Sequence, residues 1–117
     1  MIRIAKLPPL AVAVGALLGL GITGAVAQQI AAAGPVEIAI QNFAFLPGNL
    51  TIARGTSVTW VNKDEEPHNI VNVAQPRVFR SAAVDGGEKF SFTFNDPGTY
   101  KYICSIHPHM SGTIVVQ

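Results

Sequence analysis

Four side chains in this sequence are of the types that bind a soft metal ion. Cys104, His107 and Met110 have the spacing C-x2-H-x2-M within the last fourteen residues, and His68 lies far upstream in the segment Pro67-His68-Asn69. A thiolate, two imidazoles and a thioether are the donors of a mononuclear electron-transfer copper site. We therefore predict a copper protein that carries one electron, with Met110 as the weak axial ligand.

A metal held by these four donors would have no open position for a substrate, unlike the metal of a catalytic site. Cys104 and His107 are three residues apart on a short loop. This spacing favours binding of one metal by both side chains over proton transfer between them. We therefore predict that the protein is not an enzyme.

His109 leaves two other functions open. If it replaced Met110 or His107 as a ligand, a Cys/His3 site better suited to structural zinc would result. An exchangeable copper site would instead favour a copper-handling protein, a carrier or buffer, and slow loss of copper to a chelator would count against it. A zinc domain would be colourless and redox-silent.

The length and net charge of the chain limit the classes of protein to which it can belong. With 117 residues it allows one domain, and from Gln28 onward it has six basic and seven acidic residues, a balance of −1 with histidine neutral. No basic surface of the kind that binds nucleic acid is indicated. The single cysteine excludes an intramolecular disulfide and leaves Cys104 available as a ligand.

The N-terminus has the pattern of an export signal. Arg3 and Lys6 precede an apolar stretch at residues 10–22, and the small residues 25–27 fit a cleavage site. We predict a signal peptide at residues 1–27, a short linker at 28–34, and a copper-binding domain at 35–117 in the periplasm. Cleavage after residues 31–33 is a second option. The competing interpretation is an uncleaved membrane anchor, because residues 10–27 reach transmembrane length.

The rest of the chain predicts short β-strands separated by turns. Residues 36–45 alternate between apolar and polar side chains, and residues 89–94 place three phenylalanines on one face. Residues 99–104 and 112–116 form a hairpin joined by the ligand loop, whereas residues 74–83 show no clear pattern. This organisation predicts an all-β, Greek-key β-sandwich of about eight strands.

The sequence resembles the cupredoxins, the small blue copper proteins, over residues 43–116. The resemblance rests on FLP at 45–47, GTSVTWVN at 55–62, PHN at 67–69 and GTYKYIC at 98–104, and the short loop is most similar to that of amicyanins. It implies a single type 1 copper in an eight-stranded sandwich and electron shuttling between redox proteins. His68, Cys104, His107 and Met110 match the ligands of the family. Asn69 matches a residue that ties the two ligand loops together.

Two positions depart from the amicyanin pattern. Ile106 stands where proline is usual, and its additional backbone N–H is hypothesised to donate to the sulfur of Cys104 and raise the reduction potential. His109 stands where an apolar residue is usual. If it is not a ligand, we expect it on the solvent-exposed rim of the docking surface, where its charge could modulate docking.

The resemblance also implies which surface contacts the redox partners. Electrons would pass through the exposed edge of His107, in a docking surface that includes Pro108, His109 and, from neighbouring loops, Pro47 and Pro67. Electron-transfer interfaces are small and weak. We expect a monomer that meets a c-type cytochrome or a dehydrogenase, and contacts a membrane only if the leader is uncleaved. The acidic run at 64–66 could steer a basic partner, or could simply form a solvated turn.

Overall fold

The computed structural model describes residues 30–31 and 34–117. The predicted signal peptide, and the predicted linker except at residues 30, 31 and 34, lie outside the described residues. In the described part of the chain, no helix is long and apolar enough to cross a membrane.

Nine β-strands make up the described structure. They are β1 (Ile30–Ala31), β2 (Val36–Gln41), β3 (Ala44–Leu46), β4 (Asn49–Ile52), β5 (Thr56–Asn62), β6 (Val71–Asn72), β7 (Lys89–Phe94), β8 (Gly98–Ile103) and β9 (Ser111–Val116). Eight of them, β2 to β9, lie within residues 35–117, the range predicted for the domain.

The strands form two mixed sheets that pack as a sandwich. One sheet has the order β1-β4-β9-β8-β6 and the other β3-β2-β5-β7. Strands β2 and β5 are parallel, as are β4 and β9, whereas β8 and β9 form an antiparallel hairpin. Parallel neighbours within a sandwich require connections that cross between the sheets, which is the Greek-key arrangement. The prediction of an all-β sandwich is confirmed.

The core is built from strands whose inward residues alternate with outward ones. Every second residue of β5 is buried, with Trp60 at its centre, and β7 contributes Phe90, Phe92 and Phe94 from one face, as the alternation predicts. Trp60 packs at a ring-centroid distance of 5.5 Å against Tyr102 of β8 in the opposite sheet. Burial of these large apolar side chains is the main stabilising term of the fold.

Strand β8 ends one residue before Cys104. Tyr100, Tyr102 and Cys104 lie on its inner face, and the last two are buried. The thiol therefore projects from the end of a strand that is paired on both sides, with β6 and β9. This rigid position is what a metal ligand requires when its geometry must stay fixed.

The alternation of residues 36–45 predicts a single strand, but the structure forms a hairpin there, with β2 and β3 as its two strands. Asn42 and Phe43 form a two-residue turn between β2 and β3, and both have positive φ, 52° and 56°. Positive φ at both central residues is the type I′ turn that joins antiparallel strands, and glycine or asparagine usually fills it. The sequence does not reveal this turn, because Phe43 has a high β-propensity.

Residues 74–83, which show no pattern in the sequence, belong to a long connection in which Phe79 is the buried apolar side chain. Phe79 is 4% exposed and packs against Trp60 and Phe92. Asn72 fixes the start of this connection, since its side chain accepts from the N–H of Val78 and donates to the carbonyl of Lys101. The irregular segment closes the core between the two sheets.

Candidate metal centre

Three of the predicted ligands converge at one end of the sandwich. Nδ1 of His68 lies 3.8 Å from Sγ of Cys104, and Nδ1 of His107 lies 3.9 Å from the same sulfur. The ligand atoms of His68, Cys104 and His107 all lie within 4.8 Å of one another. His68 and Cys104 are fully buried, whereas His107 is partly exposed. This geometry brings together residues that are 36 positions apart in the chain.

Backbone hydrogen bonds fix the segments that carry these side chains. His68 and Val84 exchange two backbone bonds of 3.1 and 2.7 Å. The ligand loop is closed by the N–H of Cys104 bonding to the carbonyl of Met110, and by the N–H of Met110 bonding to the carbonyl of His107. Met110 is 2% exposed and belongs to the core cluster that includes Cys104. Its thioether is therefore held at the inner side of the loop.

The two ligand segments are joined through Asn69. Its side-chain amide donates to Oγ of Ser105, its side-chain oxygen accepts from the N–H of Ser105, and its own backbone N–H lies 3.4 Å from Sγ of Cys104. A hydrogen bond to a thiolate withdraws charge from the sulfur and orients it. Asn69 thus makes the contacts expected of a residue that ties the two loops.

The hypothesis that Ile106 donates a hydrogen bond to the thiolate has no support in the geometry. Among the described residues, the backbone donor to Sγ of Cys104 is Asn69, and Ile106 makes no such contact. The bonds that close the loop belong to Cys104, His107 and Met110, and Ile106 points outward with 45% of its surface exposed. The effect of Ile106 on the reduction potential stays a prediction, and in this structure its side chain adds exposed apolar surface.

His109 lies outside the group of converging ligands. Its ring centroid is 6.5 Å from that of His107, and the residue is exposed. The close group of donor atoms contains His68, Cys104 and His107 and not His109. Nothing in this arrangement favours the Cys/His3 alternative, and His109 has the exposure expected of a rim residue.

Asp64 is a neighbour of the site that we did not predict as one of its residues. Its Oδ2 lies 2.9 Å from Nε2 of His68, and its carboxylate also accepts the N–H groups of Asn42 and Phe43 at 2.7 and 3.0 Å. Burial alone would raise the pKa of Asp64, but these donors outweigh it and hold the pKa below its usual value. The carboxylate is therefore ionised at neutral pH and faces the ring of His68.

Phe43 is the second residue that the sequence did not indicate. Its ring packs edge-on against both His68 and His107, with centroid distances of 5.3 and 5.0 Å, and it is 37% exposed. Phe43 occupies the turn between β2 and β3, and the sequence does not predict this turn because phenylalanine has a high β-propensity. Asp64 lies four residues before His68 in the sequence, but no sequence pattern indicates that its carboxylate contacts the imidazole ring.

The four other residues predicted for the docking surface are exposed: Pro47, Pro67, Pro108 and His109. The predicted contribution of His107 fits its partial exposure, since the ring reaches from the buried donors toward solvent. Phe43 and Ile106 add two exposed apolar side chains to the same end of the molecule.

The donor set suits copper. Cysteine sulfur and two imidazole nitrogens select copper or zinc over magnesium or calcium, which prefer oxygen ligands. A single sulfur, two nitrogens and a buried thioether match the trigonal copper site with a long axial ligand. The charge that a metal brings would be balanced here by the thiolate and by Asp64.

Comparisons with known proteins agree with this donor set. The family described as copper-binding proteins of the plastocyanin/azurin family matches residues 32–117. Amicyanin-alpha from Methylorubrum extorquens is 37% identical over 94 residues, which cover 78% of this chain and 79% of the relative. Amicyanin from Paracoccus versutus is 33% identical over 123 residues, covering 92% and 93%.

Solved structures show the same likeness. The chain superposes on an amicyanin variant in its Cu(I) form with a TM-score of 0.67 and 29% identity, covering 71% of this chain and 82% of the other. The likeness therefore extends to sequence as well as to fold.

Proposed function

Since the chain belongs to the copper-binding plastocyanin/azurin family, we propose that His68, Cys104, His107 and Met110 are the ligands of its copper ion. The protein is a cupredoxin, an electron carrier with a copper cofactor, and not an enzyme. Copper bound here supplies one-electron chemistry by alternating between Cu(I) and Cu(II).

One observation carries the ligand assignment: three soft donor atoms lie within 4.8 Å of one another, and two of their residues are fully buried. A buried cysteine beside two inward-facing imidazole nitrogens has no role in packing that would require this convergence. The hydrogen bonds of Asn69, Val84 and Met110 hold these donors in place. Little has to move between redox states, and a small rearrangement favours fast electron transfer.

We further propose that electrons enter and leave through the ring of His107 with Phe43 beside it. His107 is partly exposed, whereas His68 and Cys104 are fully buried. Phe43 contacts both histidine rings at their edges and exposes 37% of its own surface. An exposed aromatic ring is a suitable anchor for a small, short-lived interface.

The location and the partners belong to the same proposal. The leader pattern supports export to the periplasm, where a monomer would exchange electrons with a c-type cytochrome or a dehydrogenase. The similarity to amicyanins supports a redox-protein partner without choosing between these two. N-terminal sequencing of the protein recovered from the periplasm of an expressing Gram-negative host tests the export step, with Gln28 as the expected first residue. A protein that starts at Met1 and stays in the membrane fraction would contradict it.

The ligand assignment is tested by single substitutions in the copper(II)-loaded protein. Cys104→Ser, His68→Ala and His107→Ala should each abolish the intense visible band that a copper–thiolate bond produces. His109→Ala is the matched control, because it removes an imidazole two residues from His107 that lies outside the donor group. Loss of the band in the His109 variant, with retention in the His107 variant, would overturn the assignment.

A further inference from the structure

The carboxylate of Asp64 receives three N–H groups at once. Oδ1 accepts the backbone N–H of Asn42 at 2.7 Å, and Oδ2 accepts that of Phe43 at 3.0 Å. Oδ2 also lies 2.9 Å from Nε2 of His68. The side chain of Asp64 is only 9% exposed, so these bonds replace water for most of the carboxylate. Only an acceptor with two oxygens and no hydrogens can satisfy all three donors.

The turn that supplies two of these donors is unfavourable by itself. Asn42 and Phe43 both have positive φ, and a left-handed conformation costs a non-glycine residue about 1–3 kcal/mol. Such conformations persist only where surrounding contacts determine them. Here the two consecutive N–H groups converge on Asp64, which thereby stabilises the turn from outside the hairpin.

The contact with His68 fixes the state of that ring. Nδ1 of His68 points at the sulfur of Cys104, so Nδ1 is the atom available to a metal. Nε2 must then carry the hydrogen and donate it to the carboxylate. A carboxylate bonded to the remote nitrogen of a ligand histidine orients the ring and raises its basicity as a ligand.

We propose that Asp64 is a positioning residue that serves two parts of the site: it holds His68 with Nδ1 toward Cys104, and it holds Phe43 across the edges of His68 and His107. This proposal rests on the proposed function, because it gives the ring of His68 the role of a copper ligand. It assigns Asp64 an internal role, distinct from the long-range steering considered for the acidic run.

The neighbouring carboxylates show that the role is specific to Asp64. Glu65 and Glu66 are exposed, and neither side chain has a hydrogen bond among the described residues. They carry the same charge within two positions of Asp64 but do not reach His68 or the turn. Removal of their charge reports on charge alone, which makes them matched controls.

The decisive experiment compares Asp64→Asn with Glu65→Gln, and it includes Asp64→Glu as a rescue. In the copper-loaded proteins, Asp64→Asn should raise the reduction potential clearly more than Glu65→Gln, because an ionised carboxylate on the ligand histidine stabilises the oxidised state. It should also weaken Cu(I) binding about 10- to 100-fold. Asp64→Glu should restore part of both effects.

A second readout does not depend on copper. In the apo-proteins, amide hydrogen exchange at Asn42 and Phe43 should be faster in Asp64→Asn than in wild type or Glu65→Gln, since asparagine presents an NH2 group to one side of the turn. Equal potentials and equal exchange in Asp64→Asn and Glu65→Gln would overturn the proposal.

Wild-type protein provides a test that needs no variant. Proton–nitrogen NMR spectra of the diamagnetic Cu(I) form should show His68 protonated at Nε2, with a proton that exchanges slowly. Protonation at Nδ1 instead would contradict the proposal. If the wild type fails to form a copper–thiolate site at all, the proposed function fails, while the exchange measurement on the apo-protein still decides whether Asp64 holds the turn.

Discussion

Asn69 and Ser105 exchange two hydrogen bonds of 2.7 Å across a separation of 36 residues. One partner follows His68 and the other follows Cys104, so this pair fixes the spacing of two proposed ligands that lie in different segments. The backbone N–H of Asn69 also reaches the sulfur of Cys104. Hydrogen bonds within the protein therefore hold the two segments that carry these ligands at a fixed distance from each other.

Replacement of Asn69 by alanine should weaken the site without unfolding the domain. It removes two partly buried hydrogen bonds to Ser105, which is itself exposed, and a typical hydrogen bond contributes about 0.5–1.5 kcal/mol to stability. Copper(I) affinity should fall about 10- to 100-fold, because residues that orient metal ligands have effects of this size. Thermal unfolding of the apo-protein and chelator competition measure the two effects.

Ser105→Ala is the control for this substitution. It removes one of the two bonds and keeps the bond from the backbone N–H of Ser105 to Asn69. Its effect on copper affinity should be smaller than that of Asn69→Ala. Equal affinity in wild type and Asn69→Ala would show that the two loops keep their spacing without this pair.

Replacement of Phe43 by alanine should slow electron transfer to a partner while leaving the visible spectrum of copper unchanged. An aromatic anchor at the centre of an interface contributes more than about 1 kcal/mol, so the second-order rate constant should fall at least about fivefold. Stopped-flow oxidation of the reduced protein by a soluble c-type cytochrome measures it. Val78→Ala is the control, since Val78 is also an exposed apolar residue, at 47%, but belongs to the connection at residues 74–83 and not to the segments that carry the proposed ligands. If the rate constant falls fivefold in Val78→Ala as well, the effect is not specific to Phe43, and the result would contradict its role in the docking surface.

Gly112→Ala should destabilise the fold by about 1–3 kcal/mol or more, as overpacking of a rigid core does. Gly112 pairs with Tyr102 across β8 and β9, and a β-carbon there would overlap the aromatic ring and hydroxyl of Tyr102. Tyr102 is 1% exposed and belongs to the core cluster, so its ring cannot turn into solvent to relieve the overlap. Gly48→Ala is the control, because its β-carbon would make only an ordinary contact with a carbonyl oxygen. Urea unfolding of both variants at neutral pH distinguishes them; similar midpoints would contradict the packing described here.

Stability should fall at alkaline pH because of Tyr102. Burial raises the pKa of Tyr102 to about 12, compared with 10.0 for an unperturbed tyrosine. Between these values the unfolded chain loses the proton while the folded chain keeps it, so the free energy of unfolding decreases as the pH rises, by at most about 2–3 kcal/mol. Below pH 10 this contribution is fully present.

Tyr102→Phe should remove that part of the alkaline decrease. It should cost little at neutral pH, because the buried hydroxyl of Tyr102 has no hydrogen-bond partner in the described structure. Urea unfolding of wild type and variant at pH 9 and pH 11.5 provides the comparison. An identical decrease in both proteins would show that another group is responsible.

The sequence was sufficient to predict the sandwich, the copper and the convergence of His68 with the C-terminal loop. Alternation along β5 and β7 determines which residues face the core, and a thiolate with two imidazoles determines which metals bind. The roles of Phe43 and Asp64 could not be predicted, because they depend on a turn with positive φ and on a carboxylate that reaches it from another loop. The contact of the Asn69 N–H with the sulfur of Cys104 could not be predicted either, because it depends on how the short loop between Cys104 and Met110 packs against another segment.

The central claim is that His68, Cys104 and His107 form a copper site that carries one electron. Its most direct test is the visible absorption spectrum of residues 28–117 after addition of one equivalent of copper(II). We expect an intense blue band that bleaches with ascorbate and returns on oxidation. A pale or colourless protein would contradict the assignment, and would favour a zinc domain or a copper-handling protein in place of an electron carrier.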